Sequence, residues 1–225
     1  MPILEARDVH YAYETHRVLR GVSLALERGK LYAILGPSGC GKTTLLSLLG
    51  GLDSPTQGQI LFDGEDIAQH GLARHRRDHV SFVFQAYNLI DYLTPVENVA
   101  LSGTPHPLPL VEQLGLTPEE ARRRIATLSG GQQQRVAIAR AIAARSPVLM
   151  ADEPTGALDS KTGAQVLQLM KQMNQDGTTI ILITHDNGIA ALAHRTVRVM
   201  DGKIVHDSLW DGVLVDLPVA RAVAP

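Results

Sequence analysis

The chain has little cysteine, little net charge and no long apolar run, and each shortage excludes something. A single cysteine, Cys40, among 225 residues rules out an intramolecular disulfide framework. Lys and Arg total 21 against 23 Asp and Glu, a formal net charge of −2. That balance gives no electrostatic case for nucleic acid as a partner, since nucleic acid selects a basic face. No apolar run approaches the roughly 18 residues that span a bilayer. The start, Met1-Pro2-Ile3-Leu4-Glu5-Ala6-Arg7-Asp8, lacks the basic and then apolar pattern of a secretory signal. No internal repeat or low-complexity segment stands out. The expectation is a cytosolic chain, or one held at a membrane by another protein. At 44% hydrophobic residues, the chain suits one compact domain over 1–225 with a full core and a small subdomain.

Patterning predicts strands and helices in alternation. Two β-type runs, Leu4 to Tyr13 and Val18 to Leu26, flank a polar turn, Glu14-Thr15-His16-Arg17. Gln59 to Phe62 before Asp63-Gly64, and Val80 to Phe84, read as further strands. Prolines 95, 105, 107, 109 and 118 break residues 86–128 into short helical pieces. Beyond residue 129 the βα pattern returns. Val148 to Ala151 and Thr178 to Ile183 read as buried strands, and Val166, Leu169, Met170 and Met173 form one helix face. Thr196 to Met200, Asp201-Gly202 and Lys203 to Val205 read as a closing hairpin. The fold class expected is α/β with a mainly parallel sheet. It carries an N-terminal antiparallel β subdomain and a small α-helical subdomain over about 86–145. The tail, about 208–225, is ambiguous, with disorder expected over Pro218 to Pro225.

The run Gly36-Pro37-Ser38-Gly39-Cys40-Gly41-Lys42-Thr43-Thr44 matches the phosphate-binding pattern G-x-x-x-x-G-K-[ST], so the α/β core is expected to be a P-loop NTPase core. Glycines let successive backbone N–H groups close on a phosphate. The helix that follows aims its unpaired N–H groups and positive dipole end at the same anion. Lys42 is expected on the β- and γ-phosphates and the Thr43 hydroxyl on Mg²⁺. The bland alternative is a glycine-rich turn before a helix. The setting opposes it, because a buried strand, Leu31 to Leu35, precedes the loop and Leu45, Leu46, Leu48 and Leu49 follow it. Cys40 lies within this loop, where a thiol reagent would inactivate the protein; in native function it reads as an inert small residue.

Val148-Leu149-Met150-Ala151-Asp152-Glu153 is an apolar strand ending in two carboxylates. Asp152 is the acidic partner of Thr43 at the magnesium, and Glu153 lies where it can polarise an attacking water. A solvated acidic pair opening a loop is the alternative. Leu128-Ser129-Gly130-Gly131-Gln132-Gln133-Gln134-Arg135 carries the Ser-x-x-Gln spacing of a capping box, with two glycines leaving N–H groups bare at a helix start. That makes a second anion site, unless it is an ordinary cap. It raises the question of why one nucleotide needs two cradles.

With LSGGQQQR in place, the chain resembles the ATP-binding subunits of ABC transporters over about residues 3–206. The resemblance implies a head-to-tail homodimer, or a dimer with a related ATPase subunit. Each ATP then lies between the phosphate loop of one chain and Ser129, Gly130, Gly131 and Gln132 of the other. It further implies that Tyr13 stacks on adenine and that Gln85 senses Mg²⁺ and the attacking water. Asp159, in Gly156-Ala157-Leu158-Asp159, reaches across the dimer interface, and His185 bonds the γ-phosphate. The implied partner is an integral-membrane permease that holds the chain on the inner face of the cell membrane. The phrases Phe84 to Ile90, Leu93 to Val99 and Ala151 to Ser160 resemble the macrolide-exporter, lipoprotein-release and cell-division branch, which implies export or mechanical transmission. A soluble ABC ATPase and an importer ATPase are the alternatives. One departure stands out. The stretch from Gln85 to Ser129 is shorter than that branch implies, with a compressed, proline-rich segment over 103–127, the region expected beside the permease.

Overall fold

The computed structural model describes residues 1–209; the expectation for the tail beyond them lies outside the described residues. The strands are β1 (Pro2–Tyr13), β2 (His16–Glu27), β3 (Leu31–Leu35), β4 (Gln57–Phe62), β5 (Glu65–Asp66), β6 (Val80–Val83), β7 (Val148–Asp152), β8 (Thr179–Ile183), β9 (Arg195–Met200) and β10 (Lys203–Leu209). The helices are α1 (Lys42–Leu49), α2 (Ile67–His70), α3 (Leu72–Asp78), α4 (Pro95–Ala100), α5 (Pro107–Gln113), α6 (Gly130–Ala143), α7 (Ser160–Gln175) and α8 (Asn187–Ala190).

The strands form two sheets. One is four-stranded and antiparallel, in the order β2-β1-β4-β5. The other is six-stranded, β10-β9-β3-β8-β7-β6, and parallel except for the β9–β10 hairpin at its edge. This is the fold class read from the sequence. The two-residue period of the central strands divides the core into two layers. Tyr32, Ile34, Val148, Met150, Ile181 and Ile183 join the antiparallel sheet and α1 in one cluster. Leu31, Ala33, Leu149, Ala151, Ile180 and Leu182 join α6, α7 and the helices after β6 in the other. Helix α1 is sealed between the sheets, with Leu45, Leu46, Leu48 and Leu49 all buried. Each such leucine contributes about 2 kcal/mol, so the helix start is anchored from behind.

Boundaries differ from the sequence reading in small, explicable ways. The β1–β2 turn tightens to Glu14 and Thr15, with Glu14 at φ 52°. Strand β6 stops at Val83; Phe84 leaves the ladder and stacks on Phe82 at 5.0 Å. Prolines 95 and 107 begin helices rather than only breaking them. Thr94 caps α4 in a reciprocal box with Glu97. Buried Asn98 reaches back from α4 to both the N–H and the C=O of Ile90, pinning the loop after β6.

Candidate functional site

Four neighbouring parallel strands, β3, β8, β7 and β6, end on one edge of the sheet. From those ends hang the Gly36 loop, His185, the Asp152–Glu153 pair and Gln85, in that order. The carboxyl edge of a parallel sheet is where open α/β folds place ligands.

The loop over 36–41 turns tightly against β9. A Cβ on Gly36 would lie 2.2 Å from the Val199 carbonyl oxygen, so only glycine fits there. The Cys40 carbonyl accepts from Gly202 N–H at 3.1 Å, tying the loop to the β9–β10 turn. Lys42 curls over the loop. Its ammonium donates to the Gly36 and Pro37 carbonyls at 2.9 and 2.8 Å. No side chain caps the start of α1, so its first N–H groups face the loop without a side-chain acceptor. Cys40 is buried, its Sγ 4.0 Å from Lys42 Nζ. Burial leaves the thiol little surface to offer a reagent.

Thr43 Oγ1 donates to Asp152 Oδ2 at 2.7 Å, joining the helix start to the end of β7. Asp152 is buried, and desolvation raises its pKa above the usual aspartate value, against the lowering effect of the Thr43 bond. Next to it, Glu153 adopts left-handed backbone at φ 48°, a conformation uncommon for a side-chain-bearing residue. Its N–H is held by the Ile183 carbonyl at 3.0 Å. Its Oε1 lies 3.0 Å from His185 Nδ1, so the imidazole N–H donates to the carboxylate. Asp186, just beyond, caps α8 through Gly188 and Ile189 N–H, and Thr184 Oγ1 accepts from Asp186 N–H. Both brackets flank His185. Gln85 stands exposed past the end of β6.

Thr43 Oγ1 and Asp152 Oδ2 are hard oxygen donors, which suits a small hard cation completing its shell with phosphate and water. Among the described residues, no group of three or more His, Cys, Asp or Glu could hold a metal by itself. The donor set fits Mg²⁺ accompanying a phosphate ligand rather than a caged metal.

The second cradle has the expected box. Ser129 Oγ accepts from Gln132 N–H at 3.3 Å, and Gln132 Oε1 accepts from Ser129 N–H at 2.8 Å. The helix start is therefore less bare than the two glycines suggest, because Gln132 N–H is already satisfied. Gln132 Nε2 also donates to Glu120 Oε1 at 2.6 Å, a bond to the compressed segment that sequence reading missed. Ser129 and Gly130 are exposed. Among the described residues, no hydrogen bond or ion pair joins this cradle to the Gly36 loop. Tyr13 is exposed and meets the Tyr11 ring edge-on at 4.9 Å. Tyr11 in turn donates to Asp53. Asp159 caps α7, accepting from Lys161 and Thr162 N–H at 3.1 Å and from Thr162 Oγ1 at 2.7 Å.

Residues 19–156 match the family model described as ABC transporter. The chain is 42% identical over 224 residues to a macrolide export ATP-binding/permease protein, MacB, of Marinobacter nauticus, covering 92% of this chain and 35% of that one. It thus spans about a third of the length of that relative. It is 38% identical over 215 residues to the ABC transporter ATP-binding protein YclH of Bacillus subtilis, covering 90% of this chain and 95% of that one. Among solved structures, the cassette MJ0796 of Methanocaldococcus jannaschii, a dimer in a post-hydrolysis state with ADP and Pi, superposes with a TM-score of 0.86. That match has 36% identity and covers 93% of this chain and all of the other. With the phosphate loop, the paired carboxylates and the Ser129 box on one scaffold of this topology, the chain belongs to the ABC transporter family.

Proposed function

We propose that the chain is an ATPase subunit that binds Mg·ATP between two copies of itself, or with a related ATPase subunit, and drives a membrane permease. The observation that carries this reading is the convergence at the sheet edge: the Gly36 loop and Lys42, the Thr43–Asp152 bond and the Glu153–His185 bond. The Gly36 to Thr44 run wraps the phosphates with backbone N–H groups, and Tyr13 stacks on the base. Lys42 exchanges its two loop carbonyls for phosphate oxygens. Thr43, Asp152 and Gln85 would hold Mg²⁺, which would neutralise phosphate charge.

Glu153 accepts a proton from the water that attacks the γ-phosphorus, as the bond to the bridging oxygen breaks and ADP leaves. His185 holds that carboxylate and bonds the γ-phosphate. Ser129, Gly130, Gly131 and Gln132 of the second copy cover the nucleotide, and Asp159 lies at the interface. Catalysis by this set is positioning and charge stabilisation. The 42% identity to an export ATP-binding/permease protein supports export or mechanical transmission as the work done, with the chain peripheral on the inner face of the membrane through its permease.

Steady-state hydrolysis with Mg·ATP tests the reading. Glu153→Gln is expected to keep ATP binding, to dimerise with ATP on size-exclusion chromatography and to lose turnover. Hydrolysis at the wild-type rate in that variant would falsify the role of Glu153.

A further inference from the structure

Helix α6 carries a second device besides its capped start. Arg140, in its last turn, points its guanidinium at the loop that follows Gln85. Nη1 donates to the Asn88 carbonyl at 2.7 Å and Nη2 to the Tyr87 carbonyl at 3.2 Å. Those carbonyls belong to consecutive residues in left-handed backbone, Tyr87 at φ 61° and Asn88 at φ 49°. A non-glycine pair in that region is strained and persists only where its surroundings hold it. The pair's own amides turn back only locally, Tyr87 N–H to the Phe84 carbonyl and Asn88 N–H to the Ala86 carbonyl.

Two further features show that this clamp is not incidental. Burial lowers the Arg140 pKa, and among the described residues no carboxylate pairs with it. A half-buried cation without a counter-ion is costly unless its hydrogen bonds offset the lost hydration. At the other end of α6, the Tyr87 hydroxyl sits where a Cβ on Gly130 would come within 3.0 Å. One loop therefore lies against both ends of one helix, its carbonyls bonded by Arg140 and its phenol beside Gly130. Gln134 makes a parallel grip from the middle of α6, its buried Nε2 donating to the Pro154 carbonyl at 3.0 Å, one residue past Glu153.

We propose that Arg140 is a positioning residue: by clamping the Tyr87 and Asn88 carbonyls it fixes the backbone on which Gln85 stands, and so ties Gln85 to the helix that Ser129 caps. A planar guanidinium suits the task, because its fixed fork reaches two adjacent carbonyls at once. Turnover is the readout, so the inference rests on the ATPase reading above.

The test is a double-mutant cycle in the full chain, with hydrolysis followed by radiolabelled ATP and nucleotide affinity by a fluorescent ATP analogue. Arg140→Met is expected to lower kcat by about 10- to 100-fold, the scale of a catalytic group displaced by roughly an ångström, with nucleotide affinity unchanged. Arg140→Lys, which keeps one charged donor, is expected to recover part of that loss. In a Gln85→Ala background, Arg140→Met should cost nothing further, because both changes act through the same side chain. Gln134→Ala, which releases the other loop, should still multiply with Gln85→Ala. Should circular dichroism show Arg140→Met unfolded, Arg140→Lys carries the same cycle. Multiplying losses for Arg140 and Gln85 would overturn the clamp and leave the ATPase reading standing. A folded wild-type chain that binds and hydrolyses no ATP would overturn both.

Discussion

Helices α1 and α6 both start at glycines, yet they are built differently. The start of α1 has no capping side chain, and its apolar flanks are sealed between two sheets. Its lysine bends back over the loop, 2.8–2.9 Å from two carbonyls. The start of α6 satisfies itself through the Ser129–Gln132 box, stands exposed and makes no bond to the α1 loop among the described residues. On the proposed function, the first end takes the phosphates of the nucleotide that its own chain binds, and the second, a finished cap with exposed surface, covers the nucleotide of another copy.

The comparison can be broken at either end. The largest effect is expected from Lys42→Ala, which removes the one cation in the α1 loop. Nucleotide affinity should fall by about 100-fold, the scale of a lost charge-assisted contact, read by fluorescence titration. Unchanged binding would contradict the cradle. Gly36→Ala comes next. Its Cβ would stand 2.2 Å from the Val199 carbonyl oxygen, so loop and hairpin must part. Overpacking of this kind costs about 1–3 kcal/mol, visible as a lower Tm together with weakened nucleotide binding. A variant as stable as wild type would show that the loop is less tightly seated than its geometry implies. The smallest effect on stability belongs to Ser129→Ala, about 1 kcal/mol for a lost N-cap. Its sharper consequence is a split: ATP affinity of the single chain stays at the wild-type value while ATP-driven dimerisation and turnover fall. Loss of affinity in the single chain would place Ser129 in the wrong site.

The α1 site was legible because its chemistry is contiguous: loop, lysine, threonine and buried helix fall within Leu31 to Leu49. The Ser129 box was legible for the same reason. What escaped were bonds across sequence distance: two to backbone atoms, Arg140 to the Asn88 carbonyl and Gln134 to the Pro154 carbonyl, and one between side chains, Gln132 to Glu120. No residue pattern announces a bond to a carbonyl, since every residue has one. Asp159 shows a related limit. The family resemblance implies an interface role for it; in the structure its carboxylate caps α7, where bonds from Thr162 and Lys161 lower its pKa. The boundary of β6 escaped too, because apolar Phe84 continues the pattern while the backbone turns away to Tyr87.

The sequence by itself determined the local pieces: buried strands from their apolar runs, helix starts from their caps and glycines, and the residue types around a phosphate. These depend on neighbours within a few positions, where periodicity and capping act. Only the tertiary structure decided the order β3-β8-β7-β6 that sets His185 beside Glu153 and Asp152 beside Thr43. It also decided that α6 grips the two loops next to Gln85 and Glu153. Those arrangements follow from strand pairing and from buried polar groups finding partners far along the chain, and such pairings are fixed only when the core closes.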